Sequence, residues 1–225
     1  MSIHSLSLTG KVIFYFFLAV FIGSALSLLW HINNFFIVEV PHTGGAFTEG
    51  VIGLPRFINP VLAITDSDKD LSTLVYAGLM RQASNGELVP DLAESFNISP
   101  DGKTYTFVLK PKVIFSDGSP ITADDIIYTI QQIQNPEIKS PKHANWNGVA
   151  TEKIDDRTIQ FTLQQAYGPF IENMTLGILP KHLWQSTTAV SFPLSDLNAN
   201  PIGQGPYKVK AIHKSSNGIP SEYEL

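Results

Sequence analysis

No cysteine occurs in the 225 residues of the chain, which excludes a disulfide-stapled scaffold, a thiolate zinc module and the cysteine-borne lipid of a bacterial lipoprotein. Positive charge is scarce as well. Lys and Arg number 15 against 20 Asp and Glu, a formal net charge of -5, and no basic run occurs, so nucleic acid is not an expected partner. Metal-ligand spacing is absent too. The histidines, His4, His31, His42, His143, His182 and His213, are scattered with no H-x-x-x-H pair, which gives no support to a metal site. There is no G-x-S-x-G elbow and no P-loop. Gly203-Gln204-Gly205-Pro206 is too short for a dinucleotide fingerprint, and its proline has no N–H to offer a phosphate. These absences disfavour an enzyme and imply no cofactor. A secreted hydrolase is the alternative, and it requires a base within hydrogen-bond reach of a Ser or Thr in a cleft.

Charge is missing altogether from Val12 to Trp30, a run bounded by Lys11 before it and His31, Asn33 and Asn34 after it. As a helix this run would be about 28 Å long, close to the ~30 Å hydrocarbon thickness of a bilayer. The mean hydropathy of the whole chain is +0.08, and without this run it is slightly negative, as for a soluble body. The expected organisation is a cytoplasmic segment at 1–11, a transmembrane anchor at 12–30, a linker at 31–43 and a soluble body from 44 to 225. Gly23-Ser24-Ala25 leaves open a cleaved secretory signal. Continuation of the apolar run through Leu26, Leu28, Leu29 and Trp30 favours an anchor, and both readings put the body outside the cytoplasm.

Within the body, Gly44-Gly45 opens an expected strand over Ala46–Ile52. Ser67-Asp68-Lys69-Asp70 has the form of a capping box with Ser67 as N-cap, and Leu71, Leu74, Val75, Gly78 and Leu79 follow at helical spacing, which predicts a helix over about 68–82. Strands are expected over 94–98 and 104–110, joined by the turn Ser99-Pro100-Asp101-Gly102, with Tyr105, Phe107 and Leu109 on one face. Thr122-Ala123-Asp124-Asp125 caps a second helix striped by Ile126, Ile127, Ile130 and Ile133 and ended by Pro136. A hairpin over 149–154 and 158–163, short helices after Gly168-Pro169 and at 180–184, and a strand over 207–212 complete an irregular interleaving. That pattern is α+β.

Three clusters invite a chemical reading. Asp66, Asp68 and Asp70 alternate like the start of a calcium loop, but Leu71 stands where that loop needs Gly and Ala77 where it needs Glu, so capping explains them better. Asp124-Asp125 is likewise a helix start rather than an acid/base dyad, since neighbouring helical residues point apart. Trp146 sits in the loop-like stretch 140–148 beside Asn145. It either lines a ligand cleft with Asn145 or folds back onto the body.

Taken in order, several segments resemble the family-5 extracellular solute-binding proteins, the oligopeptide- and dipeptide-binding components of bacterial ABC importers. They are Thr48-Glu49-Gly50, Ile58-Asn59-Pro60, Leu74-Val75-Tyr76-Ala77-Gly78-Leu79, the stretch from Leu88 to Phe96, and Ser99 to Phe107. The most specific is Phe115-Ser116-Asp117-Gly118-Ser119-Pro120-Ile121-Thr122-Ala123-Asp124-Asp125. Leu179-Pro180-Lys181-His182-Leu183 and Gly203-Gln204-Gly205-Pro206-Tyr207 follow.

The resemblance implies a type II periplasmic-binding-protein fold, two lobes closing on a ligand, with a subdomain of about 60–179 inserted in the first lobe. It also implies a peptide or other small solute as ligand, held largely through its backbone, and permease and ATPase subunits as partners. Nickel or an oligosaccharide could replace the peptide, and a membrane-tethered sensor or interaction module is a second use of the same fold. By the resemblance, Ile64, Thr65, Asp66 and Ser67 lie near the ligand backbone, and Asn145 and Trp146 form a second wall. Members have about twice this length, so the second lobe is expected to be missing and the chain to be a fragment.

Overall fold

The computed structural model describes residues 8–36, 45, 47–218 and 220–225. Two compact units divide the chain, Met1–Glu49 and Gly50–Leu225. In the first, α1 runs from Leu8 to Phe36, and Leu8–Ile32 is long and apolar enough to cross a membrane. The helix does not stop at Trp30 but carries on through the first residues of the expected linker. The rest of that linker, residues 37–43, lies outside the described residues, as do residues 1–7 of the amino-terminal segment, Gly44 and Ala46.

The second unit begins without the strand expected over 46–52, since residues 47–52 are not in any strand. It then forms α2 (Asp66–Val75), β1 (Met80–Gln82), β2 (Leu88–Pro90), β3 (Ala93–Ile98), β4 (Thr104–Leu109), α3 (Ala123–Gln134) and α4 (His143–Trp146). After these come β5 (Ala150–Lys153), β6 (Thr158–Thr162), α5 (Lys181–Trp184), β7 (Ala211–Lys214) and β8 (Pro220–Glu224). β1 and β2 pair as one small antiparallel sheet and β7 and β8 as another, while the central sheet has the order β3-β4-β6-β5 with every pairing antiparallel. Helices and antiparallel strands in this mixture make an α+β fold.

Alternation builds the centre. Tyr105, Phe107 and Leu109 on β4 and Ile159 and Phe161 on β6 all point into the core and are buried, as a half-buried strand with period two requires. The turn before β4 needs Gly102, which sits at φ 67°, a region closed to most side chains. α3 packs above this sheet. Its first-turn Asp125 accepts the Thr122 N–H at 2.9 Å and the Thr122 hydroxyl at 3.1 Å, and its other oxygen takes the Lys181 N–H at 2.9 Å. Asp124 instead faces out to Lys153 at 2.6 Å, so the two neighbouring carboxylates do separate jobs.

The frame of α2 differs from the expected one. Its N-cap is Thr65, with Asp68 completing the capping box, two residues before the Ser67–Asp70 pattern. Asp68 is nearly sealed, 1% exposed, and its carboxylate gathers four backbone donors. Arg56 and Phe57 N–H reach one oxygen at 2.7 and 3.0 Å, and Ile64 and Thr65 N–H reach the other at 3.3 and 3.2 Å. Burial alone would raise this carboxyl's pKa. The donors of Phe57, Arg56 and Thr65 outweigh it and hold the group below the usual carboxylate range. The alternate acids are therefore a cap and its neighbours, with Asp66 turned to Lys69 at 3.4 Å.

α2 also stops early, at Val75. The segment 203–207 runs against its last turn, with Gly205 N–H donating to the Val75 carbonyl at 2.7 Å and Tyr207 N–H to the Leu74 carbonyl at 3.1 Å. The Gln204 side-chain amide donates to the Ala77 carbonyl at 2.9 Å. Two glycines make the approach possible. A Cβ on Gly203 would lie 2.1 Å from the Val75 carbonyl oxygen, and one on Gly205 2.5 Å from that of Leu74. Tyr207 is thereby taken out of the strand expected at 207–212, and the observed strand β7 starts at Ala211. Residues 140–148 contain the single turn α4 rather than loop throughout, and the stretch after Gly168-Pro169 is 3-10 helix.

Two stability changes follow. Gly203→Ala should destabilise the body by about 1–3 kcal/mol through overpacking against backbone, seen as a lower thermal midpoint. For Asp68 the folded pKa is depressed, so its stabilisation is present above the unfolded value of about 3.9 and is lost as pH falls through the lower folded value. Asp68→Asn should cost on the order of 2 kcal/mol at pH 7 by leaving charged hydrogen bonds unmade. Urea midpoints of the chain and the variant should converge as pH falls through that lower folded value; a constant gap would contradict the assignment.

Candidate functional site

An open cleft of about 300 Å³ lies between α2, α4 and the 3-10 helix Gly168–Thr175. α2 contributes Lys69, Ser72 and Thr73, with Tyr76 following directly after it, a spacing of i, i+3, i+4 and i+7 that places them on one helical face. α4 and its N-cap add Lys142, Asn145 and Trp146, and the far side carries Glu172, Asn173 and Thr175.

The position of α4 is fixed by polar contacts from α3 and from the chain just before it. The Gln134 amide donates to the Trp146 and Val149 carbonyls, both at 2.7 Å. Ser140, just before α4, donates its hydroxyl to the Val61 carbonyl at 2.6 Å. Trp146 is 2% exposed, with its ring 5.8 Å from Phe161 and 5.5 Å from Phe170. It folds back into the core, as one of the two readings has it, and it also borders the cleft. Asn145 is exposed, donates to the Asn173 side-chain oxygen at 3.2 Å, and also lines a second hollow of about 230 Å³ beside Gly148 and Tyr167.

The other four residues, Ile64, Thr65, Asp66 and Ser67, do not line either hollow. They form the entry to α2, one turn before Lys69. Ile64 is 60% exposed and Asp66 is exposed, whereas Ser67 is buried and donates its hydroxyl to the Ile52 carbonyl at 3.3 Å. The structure thus joins Asn145 with Trp146 and keeps Ile64–Ser67 as a separate edge that Asp68 holds in place.

Apart from Asn145 and Trp146, the cleft lining was not legible in the sequence. Lys69, Ser72 and Tyr76 carry a helical signal of their own, but it is the polar stripe opposite the apolar one. Lys142 has no pattern at all, because its place depends on the turn around Ser140. Burial, and then the neighbouring Lys69 charge, push the Lys142 pKa down. Burial also pushes the Tyr76 phenol up.

A hydroxyl–imidazole–carboxylate group does occur elsewhere. His182 Nε2 lies 2.8 Å from Asp117 and 3.3 Å from the Ser119 hydroxyl. In a hydrolytic triad the acid and the nucleophile occupy opposite ring nitrogens. Here both meet the same nitrogen, and the Ser119 hydroxyl donates to Asp117 at 2.6 Å. The cluster lines neither hollow. It ties the Phe115–Pro120 turn to α5. Against a burial penalty, the Ser119 hydroxyl and N–H and the His182 ring hold Asp117 down at about 2.

The pattern of the "Bacterial extracellular solute-binding proteins, family 5 Middle" matches residues 87–217, more than half of the chain. The oligopeptide-binding protein AppA of Bacillus subtilis is 30% identical over 179 residues, which cover 76% of this chain and 32% of that protein. Its structure in complex with a nonapeptide superposes with a TM-score of 0.68 at 28% identity, over 72% of this chain and 33% of that one. The structure of NikZ from Campylobacter jejuni in complex with Ni(L-His) gives a TM-score of 0.64 at 34% identity, over 70% of this chain and 31% of that one. The chain spans 28% to 35% of the length of these and similar curated relatives. A fold, a run of turn and cap motifs and a matching family pattern agree, and the chain belongs to the family-5 bacterial extracellular solute-binding proteins.

Proposed function

We propose that the chain serves solute capture outside the cytoplasm, with an oligopeptide as ligand, for uptake through an ABC importer whose permease and ATPase are its partners. The observation that carries this reading is the pair of features on the second unit. One is an exposed edge at Ile64–Asp66, held rigid by Asp68, and the other is an open cleft lined by hydrogen-bonding side chains. A rigid edge suits recognition through a peptide's backbone, which tolerates varied side chains, and the likeness to a relative solved with a nonapeptide supports it.

In this reading α1 is a membrane anchor with the body on the extracytoplasmic side, and 60–179 is the inserted subdomain between pieces of the main lobe at 44–59 and 180–225. A nickel chelate is the second reading. It is favoured by the likeness to NikZ, whose structure contains Ni(L-His).

The test is native mass spectrometry of the full chain purified in lipid nanodiscs. Co-purifying peptides of mixed sequence are expected, whereas a single sugar or a nickel complex would overturn the peptide assignment. Asn145→Ala should weaken peptide binding several-fold at an unchanged melting temperature. Trp146→Ala is the poorer probe, because emptying its core site costs about 3–5 kcal/mol of stability by itself.

A further inference from the structure

The cleft between α2 and α4 contains charges and hydroxyls that the protein leaves without partners. Lys142 is half-buried, and no carboxylate of the described residues lies within ion-pair distance of it; the other cation in the lining is Lys69. Lys69 has only the exposed Asp66 at 3.4 Å, a surface pair of little weight. The remaining charge in the lining, Glu172, is exposed and forms no ion pair with a described residue, so the cleft keeps an excess of one positive charge.

Two neutral groups add to this. The Ser72 hydroxyl and the Tyr76 phenol are buried and have no hydrogen-bond partner among the described residues, on residues only 6% and 4% exposed. An unmade hydrogen bond at a buried polar group costs about 1–3 kcal/mol, and native proteins leave few such groups without a reason. Both residues border the cleft together with Lys69 and Lys142. Two cations bordering one cleft and hydroxyls without an acceptor form the complement of an oxyanion, which accepts hydrogen bonds from both and relieves the repulsion between the lysines.

We infer that this cleft is a subsite for an anionic group of the solute, a carboxylate or a phosphate, received by Lys142 and Lys69 with Ser72 and Tyr76 as supporting donors. The inference rests on the solute-capture reading above and narrows it to ligands that present a negative charge to this lobe. It assigns specificity to side chains, whereas the Ile64–Asp66 edge recognises backbone.

The test uses the full chain in detergent micelles with its lysine amines labelled as ¹³C-dimethyl groups, which keeps their charge, and three probes: trialanine, trialanine amide and inorganic phosphate. Trialanine is expected to shift the Lys142 signal saturably, with at least about tenfold tighter binding than its amide, as loss of one charge-assisted contact implies. Phosphate should shift the same signal. Lys142→Gln should abolish the preference for acid over amide, read at the Asn145 side-chain amide, and Lys142→Arg should retain it. Matching melting temperatures of the two variants exclude a folding defect.

Equal binding of acid and amide, or a preference that survives Lys142→Gln, would overturn the anion subsite and leave peptide capture standing. A Lys142 response to phosphate with none to either peptide would keep the subsite, place a phosphate rather than a carboxylate in it, and count against peptide capture. No response to any probe would overturn both.

Discussion

The second unit depends on one close approach of backbone to backbone. The last turn of α2 presents the carbonyls of Leu74 and Val75, and the segment 203–207 comes near enough to donate to both. No side chain fits between them, so the contact is available only to glycine at 203 and 205. Gln204, between the two, turns its amide to the carbonyls of Ala77 and Ile178 and so adds the chain before α5 to the same junction. The end of α2 sets where the helix face lies, and that face is one wall of the cleft. A glycine pair with no chemistry of its own therefore determines where Lys69, Ser72 and Tyr76 stand.

Asp68 does at the start of α2 what the glycines do at its end. Four backbone N–H groups converge on one buried carboxylate and fix the bend from Arg56 to Thr65. A second buried polar contact, from the Asn59 amide to the Asn198 side chain at 2.9 Å, ties the same bend to a late part of the chain. Buried polar groups stabilise little in net terms when satisfied but tolerate few alternative arrangements. Here they hold an edge of exposed residues rigid without covering it with apolar side chains. The resulting division is an edge defined by backbone and a cleft defined by side chains, both hung on one ten-residue helix.

Legibility in the sequence followed the range of the interactions. The hairpin of β3 and β4, the start of α3 at Thr122 and the hairpin of β5 and β6 were readable because turn residues, caps and alternation act within a few positions. α2 was readable as a helix but not in frame. Two overlapping patterns, Thr65 to Asp68 and Ser67 to Asp70, both satisfy a capping box, and the choice between them is made by Arg56 and Phe57 from outside the helix. Its early end was hidden because the partner that stops it is residue 205. The cleft was half visible: Asn145 and Trp146 stood out as polar and aromatic residues without periodicity, whereas Lys142 is an ordinary surface lysine until Ser140 and Val61 place it. The motifs that disclosed the family encode turns, caps and close approaches, which is why they were informative about fold and silent about ligand.

The Asn59–Asn198 contact also sets an order of events. These residues are 139 positions apart, and the junction between Val75 and Gly205 joins segments nearly as distant, so neither can form until most of the chain is available. Contacts of such long range carry a loop-closure cost that local hairpins do not. A chain emerging amino terminus first can therefore complete its central sheet, and close the Arg56–Thr65 bend on Asp68, before either long-range contact forms. The end of α2, early in the sequence, waits for its position on residues near the other end of the chain.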